Sequence, residues 1–313
     1  MTTPLFQQLE HGITCIDTGY MRPGLASCYL IEEGGRAAFI DTGTFYTVPT
    51  LLRLLKEKNI PIEHVDYVIP THVHLDHAGG AGELMRQLPN AQLIIHPRGA
   101  RHMIDPSRLQ AGASAVYGQE EFAKHYGELI PIPESRVTSA DDGFSVELNG
   151  RTLSFIDTPG HAKHHFCIID KKSQGMFTGD TFGVAYPELI SAKGTFIFPP
   201  SSPVDFNPED WVTSVARLLS TGSQRAYLTH YGMVENLNPL ADTLKTQIKQ
   251  FAQFAQSAES TQQLGALVTN YLVREAQTNN PSLSEETILD VLSLDLDLVI
   301  QGLAVWIEKM REK

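Results

Sequence analysis

The chain has 313 residues, 42% hydrophobic and 19% charged, enough for one large α/β domain with an appendage or for two ordinary domains. A formal charge of −12 leaves no basic face to neutralise a phosphate backbone, so nucleic acid is excluded as an expected partner. Cys15, Cys28 and Cys167 are the only cysteines and form no C-x-x-C pair, which excludes a disulfide framework and a thiolate zinc knot, and the absence of a long apolar run argues against a membrane span.

The opening residues, MTTPLFQQLEHG, lack a basic start followed by an apolar stretch, so the expected location is the cytoplasm. Over 13–41 the short apolar runs Cys28-Tyr29-Leu30-Ile31 and Ala37-Ala38-Phe39-Ile40 flank Glu32-Glu33-Gly34-Gly35-Arg36, the pattern of strand, turn and strand. Leucines at helical spacing follow over 48–58, then a short buried strand at 65–69. The rhythm continues with a helix at 79–88 and a strand at 92–95. A less regular stretch follows around 98–130, and then strands at 144–148, 153–157, 166–169 and 176–178. Hairpins mixed with strand-helix-strand units predict sheet packed on sheet with flanking helices. Residues 181–208 are rich in aromatics and proline, including Phe182, Tyr186, Phe196, Phe198, Pro203 and Phe206, and read as a long pocket-lining loop. Beyond about Pro239 strand patterns vanish. Two amphipathic helices and a third opened by a capping box of Ser282 and Glu285 make an all-helical tail, apolar on more than one side over 288–307. The expected division is therefore 1–238 and 239–313, the tail forming part of the pocket or a homodimer interface.

The chemistry concentrates in His72-Val73-His74-Leu75-Asp76-His77. In an extended segment alternate side chains share a side, so His72 and His74 can reach one metal ion. Asp76 and His77 follow at a turn that can aim them at a second ion. Further ligand-type residues stand at strand ends: His161 after Phe155-Ile156-Asp157-Thr158-Pro159-Gly160, Asp180 after Met176-Phe177-Thr178-Gly179, and His230 after Ala226-Tyr227-Leu228-Thr229. Each alone is an ordinary structural residue; as a set they supply what a two-metal centre requires.

Thr71 to His77, Thr158-Pro159-Gly160-His161, Gly179-Asp180 and Thr229-His230 together resemble the ordered ligand motifs of the metallo-β-lactamase superfamily, over about residues 25–232. The resemblance implies an α/β fold, a four-layer αβ/βα sandwich (α+β in some schemes), with a C-terminal helical extension. It assigns His72, His74 and His161 to a first metal and Asp76, His77 and His230 to a second, with Asp180 bridging. It makes Asp41 and His165 supports of the ligands rather than ligands, with His164 beside His165 doing similar work. The nitrogen and oxygen donors suit two divalent ions of zinc, iron or manganese. His96, His102 and His125 lie outside these motifs, His102 and His125 being candidates for substrate contact.

Such a centre uses a metal-bridging hydroxide to attack an ester-like carbonyl, with Asp76 or Asp180 orienting the hydroxide and managing its proton. The layout is similar to hydroxyacylglutathione hydrolases and to quinolone-signal acyl-CoA thioesterases, which implies a small-molecule acyl thioester lying against Tyr186, Phe196, Phe198 and Phe206. Lys163, Arg98, Arg101, Arg108 and Lys193 are scattered and form no basic cluster for a charged leaving group, so a lactone or other carboxylic ester fits as well. Two readings of other classes stand beside these: a mono-iron, persulfide-type dioxygenase, and a signalling protein acting through its helical tail.

Overall fold

Strand and helix patterning reappears in the computed structural model, which describes residues 3–201 and 205–312. The chain divides into two compact units, Met1–Asp157 with His164–Gly179, and Thr158–Lys163 with Asp180–Lys313.

In the first unit β1 (Phe6–Gln8), β2 (Ile13–Asp17), β3 (Ser27–Glu33) and β4 (Arg36–Ile40) pair antiparallel in sequence order. From β4 the sheet continues in parallel through β5 (Val65–Ile69), β6 (Gln92–Ile95) and β7 (Val137–Ser139). Parallel neighbours require crossovers. The crossovers are α1 (Val48–Glu57), then α2 (Leu75–Ala78) with α3 (Ala81–Gln87), then α4 (Pro97–Ile104), α5 (Ser107–Tyr117) and α6 (Gln119–Tyr126). Leu51, Leu54 and Leu55 of α1 fall at helical spacing and share one core with Leu30, Phe39, Val68 and Leu93 of the sheet. Each such buried side chain contributes roughly 1.5–3 kcal/mol of transfer free energy.

A second sheet of the same unit runs antiparallel through β8 (Ser145–Leu148), β9 (Arg151–Asp157), β10 (Phe166–Asp170) and β11 (Gly175–Gly179). It packs on the first: the Tyr29 and Phe177 rings meet edge to face at 5.3 Å. Arg151, 3% exposed, is paired with the Asp170 carboxylate and donates to the His11 carbonyl at 2.7 Å, so its charge is buried with partners.

The stretch at 98–130, expected to be irregular, is largely three helices. Its sequence concealed them because Ser107-Arg108-Leu109-Gln110-Ala111-Gly112-Ala113-Ser114 carries small and polar residues and so presents no apolar stripe.

The second unit contains α7 (Pro208–Leu219), capped by Asn207, whose side-chain oxygen accepts from the Glu209 and Asp210 amides. An antiparallel hairpin of β12 (Arg225–Leu228) and β13 (Gly232–Glu235) follows, then α8 (Leu237–Ser257), α9 (Thr261–Asn279) and α10 (Glu285–Arg311). The cap of α10 is Ser284, which accepts from the Thr287 amide, and not the expected Ser282, which hydrogen-bonds Asn280 at 2.6 Å. Ser284 offers the same hydroxyl directly before the first turn.

Among the described residues, the loop after Asp180 is irregular apart from a 3-10 turn, Pro187–Leu189, and the isolated bridges Val184–Phe198 and Ser191–Gly194. It is nonetheless tied down: the Ser191 hydroxyl donates to the Asn279 carbonyl at 2.7 Å and Lys193 Nζ to the Thr278 carbonyl at 2.8 Å. Pro203, part of the predicted loop, lies outside the described residues. Among the described residues no helix is long and apolar enough to cross a membrane.

Candidate metal centre

In the first unit β5 delivers the chain into a segment that bends at residues 71–73, where an extended run was expected, and reaches His74, the residue preceding α2 (φ −63°, ψ 148°). The His72 and His74 rings stand 4.3 Å apart, with His72 Nε2 facing His74 Nδ1 at 2.7 Å. Asp76 and His77 lie on the single turn of α2, whose Nε2 to carboxylate separation is 3.6 Å. The four residues expected from the sequence to gather here do so.

Asp41 is the hub beneath them. It is 1% exposed and accepts from the Thr71 amide at 2.7 Å, the Thr71 hydroxyl at 3.0 Å and His77 Nδ1 at 3.0 Å. The consequence for proton placement follows from donor counting. The Thr71 hydroxyl gives its one proton to Asp41, so toward His72 Nδ1, 3.1 Å away, it can only accept. His72 therefore carries its hydrogen on Nδ1, and its Nε2 accepts across the 2.7 Å to His74 Nδ1; by the same logic His77, donating to Asp41, keeps a lone pair on Nε2.

His165 is fully buried, its ring 4.8 Å from that of His72. Gly179 makes room for it: a Cβ at that position, where φ is +47°, would stand 2.4 Å from His165 Nε2. His164 is stacked on His72 at 6.1 Å and edge-on to His74 at 5.6 Å.

The second unit gathers His161, Asp180 and His230. Gly160 adopts φ +131°, and a Cβ there would fall 2.3 Å from the Trp211 Cα, so only glycine lets this turn approach α7. His161 Nδ1 donates to the Pro200 carbonyl at 2.9 Å, which leaves its Nε2 bare and 3.1 Å from Asp180 Oδ2. His230 Nε2 lies 3.7 Å from the other oxygen, Asp180 Oδ1. One carboxylate thus presents one oxygen to each of two imidazoles.

Lone pairs that face each other across 3.1 to 3.6 Å repel unless a proton or a shared cation lies between them. His161 against Asp180, and His77 against Asp76, are arrangements of that kind. Imidazole nitrogens held by a hydrogen bond on the far nitrogen, with carboxylate oxygens opposite, are the donor set that zinc, iron or manganese takes. The residues fit the implied metals.

Three supports had gone unnoticed in the sequence: Thr71, the Pro200 carbonyl, and Trp211. The Trp211 ring stands edge-on to His161 at 5.5 Å, and its indole N–H donates to the Thr181 carbonyl at 2.8 Å. A tryptophan on the buried stripe of α7 was the available hint. The remaining histidines have other partners. His96 caps α4 through the Arg98 amide and meets Asp157 at 3.1 Å, and His125 meets Glu121 at 2.9 Å. His102 is held below the usual imidazole range by burial and by Arg101 and Arg108. Tyr186, Phe196, Phe198 and Phe206 are all buried. Phe198 lies 5.8 Å from Phe196 and 6.1 Å from Tyr186, and Phe206 contacts Trp211 and Trp306 at 6.0 and 5.4 Å.

Residues 21–230 match the model of the metallo-beta-lactamase superfamily. Among curated relatives, a beta-lactamase-like protein 2 homolog of Caenorhabditis elegans is 26% identical over 213 residues, 67% of this chain and 57% of its own length. An atrochrysone carboxyl ACP thioesterase of Aspergillus fumigatus is 26% identical over 222 residues, 70% of this chain and 55% of its own. The chain thus spans little more than half the length of these relatives. A solved archaeal metallo-beta-lactamase superfamily protein from Sulfolobus tokodaii superposes with a TM-score of 0.66 at 20% identity, covering 97% of this chain and 99% of the other. That likeness shows the fold: an α/β sandwich with a C-terminal helical part.

Proposed function

The chain belongs to the metallo-beta-lactamase superfamily, and on this premise we propose that it is a binuclear hydrolase that cleaves an ester-like carbonyl bond, with acyl thioesters as its substrates. The observation that carries the reading is Asp180, whose two oxygens face His161 Nε2 at 3.1 Å and His230 Nε2 at 3.7 Å.

In this reading His72, His74 and His161 hold one divalent ion, Asp76, His77 and His230 hold the other, and Asp180 serves both. Zinc and iron are the metals first in line, with manganese after them. When bound, such ions acidify a water towards pH 7 and polarise the substrate carbonyl. The chain's own residues do the rest. Asp76 and Asp180 orient the attacking water and accept its proton, passing it to the leaving group. Asp41 and His165 hold the imidazoles in the tautomer and orientation that ligation needs. The packed aromatics Tyr186, Phe196, Phe198 and Phe206 form the wall behind the acyl group, and the buried His161–Trp211 contact keeps water away from the ring face.

The thioester choice is supported by the thioesterase names of relatives at 26% identity. We place the protein in the cytoplasm, acting on a small molecule rather than on nucleic acid, in keeping with its acidic balance. The test is hydrolysis of acyl-CoA and acyl-pantetheine thioesters beside lactones and phosphodiesters, with metal-loaded and chelated protein. Metal-dependent thioester turnover is the expected result. Turnover of lactones alone moves the substrate class, and oxygen uptake without hydrolysis overturns the hydrolytic reading.

A further inference from the structure

A carboxylate on the buried face of a tail helix needs a reason. Asp295 is 7% exposed on α10, on a side of the helix otherwise made of Ile288, Leu292, Leu296, Val299 and Leu303. Placing a carboxylate in such surroundings is unfavourable unless hydrogen bonds offset the lost hydration. Here the Tyr186 hydroxyl donates to it, 3.1 Å from Oδ1 and 3.0 Å from Oδ2, and Tyr186 is itself 1% exposed.

Tyr186 is not an arbitrary point on its loop. The preceding residue, Ala185, donates its backbone N–H to the His230 carbonyl at 2.5 Å. One residue further back Val184 pairs with Phe198, each donating its amide to the other's carbonyl, at 2.8 and 3.1 Å. At the start of the same loop the Gly183 amide donates to the Asp180 carbonyl at 3.0 Å. The six residues that follow Asp180 therefore hold the backbones of both Asp180 and His230, and their far end is anchored by one side chain of α10.

We infer that Asp295 and Tyr186 are a positioning pair through which the C-terminal helix sets the placement of His230 and Asp180, so that the tail is part of the metal centre's support rather than an independent appendage. The inference rests on the hydrolase reading above for its activity consequence. Its structural content, control of two ligand-type residues by α10, is tested by metal binding alone. The pair acts on the two ligand-type residues through the backbone, and Tyr186→Phe keeps the ring that Tyr186 contributes to the acyl wall. Its loss lowers the affinity for metal and the turnover number and leaves KM nearly unchanged, because the acyl wall at Phe196 and Phe198 stays packed.

The experiment titrates full-length protein with cobalt(II), following the visible absorption of the bound ion, and measures kcat and KM on the best thioester for wild type, Tyr186→Phe, Asp295→Ala and Asp295→Asn. Tyr186→Phe and Asp295→Ala should weaken cobalt binding or lower kcat by roughly 10–100-fold, with an altered cobalt spectrum and KM within about twofold of wild type. Asp295→Asn keeps an oxygen that can accept from the tyrosine and should recover most of the loss. Should a single variant fail to fold by circular dichroism, the double variant Tyr186→Phe/Asp295→Leu, which removes both polar partners together, is read in the same way. Cobalt affinity, spectrum and kcat unchanged in folded variants overturn the inference. Wild-type protein that takes up cobalt but hydrolyses nothing overturns only the hydrolase reading, and wild-type protein that binds no cobalt overturns both.

Discussion

The two units supply ligand-type residues in opposite ways. In the first, His72, His74, Asp76 and His77 come from six consecutive residues, and one buried carboxylate, Asp41, holds His77 directly and His72 through Thr71. In the second, residues 161, 180 and 230 are far apart in sequence and are held by backbone: the Pro200 carbonyl on His161, the Gly183 amide on Asp180 and the Ala185 amide on His230. A contiguous motif can be oriented by a single side chain, whereas a dispersed one needs the loops and helices around it. Damage to the first unit should therefore be local, and damage to the second should spread.

The largest break is at Asp180. Asp180→Ala removes the oxygen facing each of two imidazoles and should lower kcat/KM beyond the roughly 100-fold that loss of a supporting group costs, with metal content per chain falling in parallel. Next is Asp41→Asn, whose amide cannot accept from both Thr71 and His77; a loss of about 10–100-fold in metal affinity or kcat is expected in a protein that still folds. Gly160→Ala sharpens the claim for the second unit. The φ of +131° alone costs about 1–3 kcal/mol and the Trp211 backbone lies in the way, so its thermal midpoint should drop while the equivalent surface change Gly143→Ala, with open space around it, costs less.

The smallest expected effect concerns thiols. Burial pushes the Cys15 thiol up to about 12 from 9.0. A group whose acid form is favoured in the folded state loses stabilisation as pH rises, so stability should decline between about pH 9 and 12, and native protein at pH 8 should leave Cys15 unmodified by thiol reagents.

Much of the first unit was legible because its chemistry is local. The apolar runs at 28–31 and 37–40, the leucine spacing of α1 and the His72 to His77 segment each announce themselves within a few residues. The helices at 97–126 were hidden by small and polar residues, and α2 is a single turn too short to show a period. Asp41 was found through resemblance; its partner Thr71 stood in the same motif, but nothing marked it as a donor to Asp41. In the second unit the ligand-type residues stand at strand ends where the sequence shows them, while the Pro200 carbonyl and the Ala185 amide could not be read, because backbone groups carry no sequence mark. Asp295 was invisible for another reason: along α10 it reads as one of several acidic residues, and only its burial against Tyr186 sets it apart from Asp290 and Asp297.

The central claim, that these seven side chains serve two metal ions, is tested most directly by elemental analysis of gently purified protein, taken beside hydrolysis by the same sample. Two equivalents of zinc, iron or manganese per chain, with activity lost on chelation and restored on reloading, is the result this account predicts. One iron per chain with oxygen consumption and no hydrolysis, or an active chain free of metal, would contradict it.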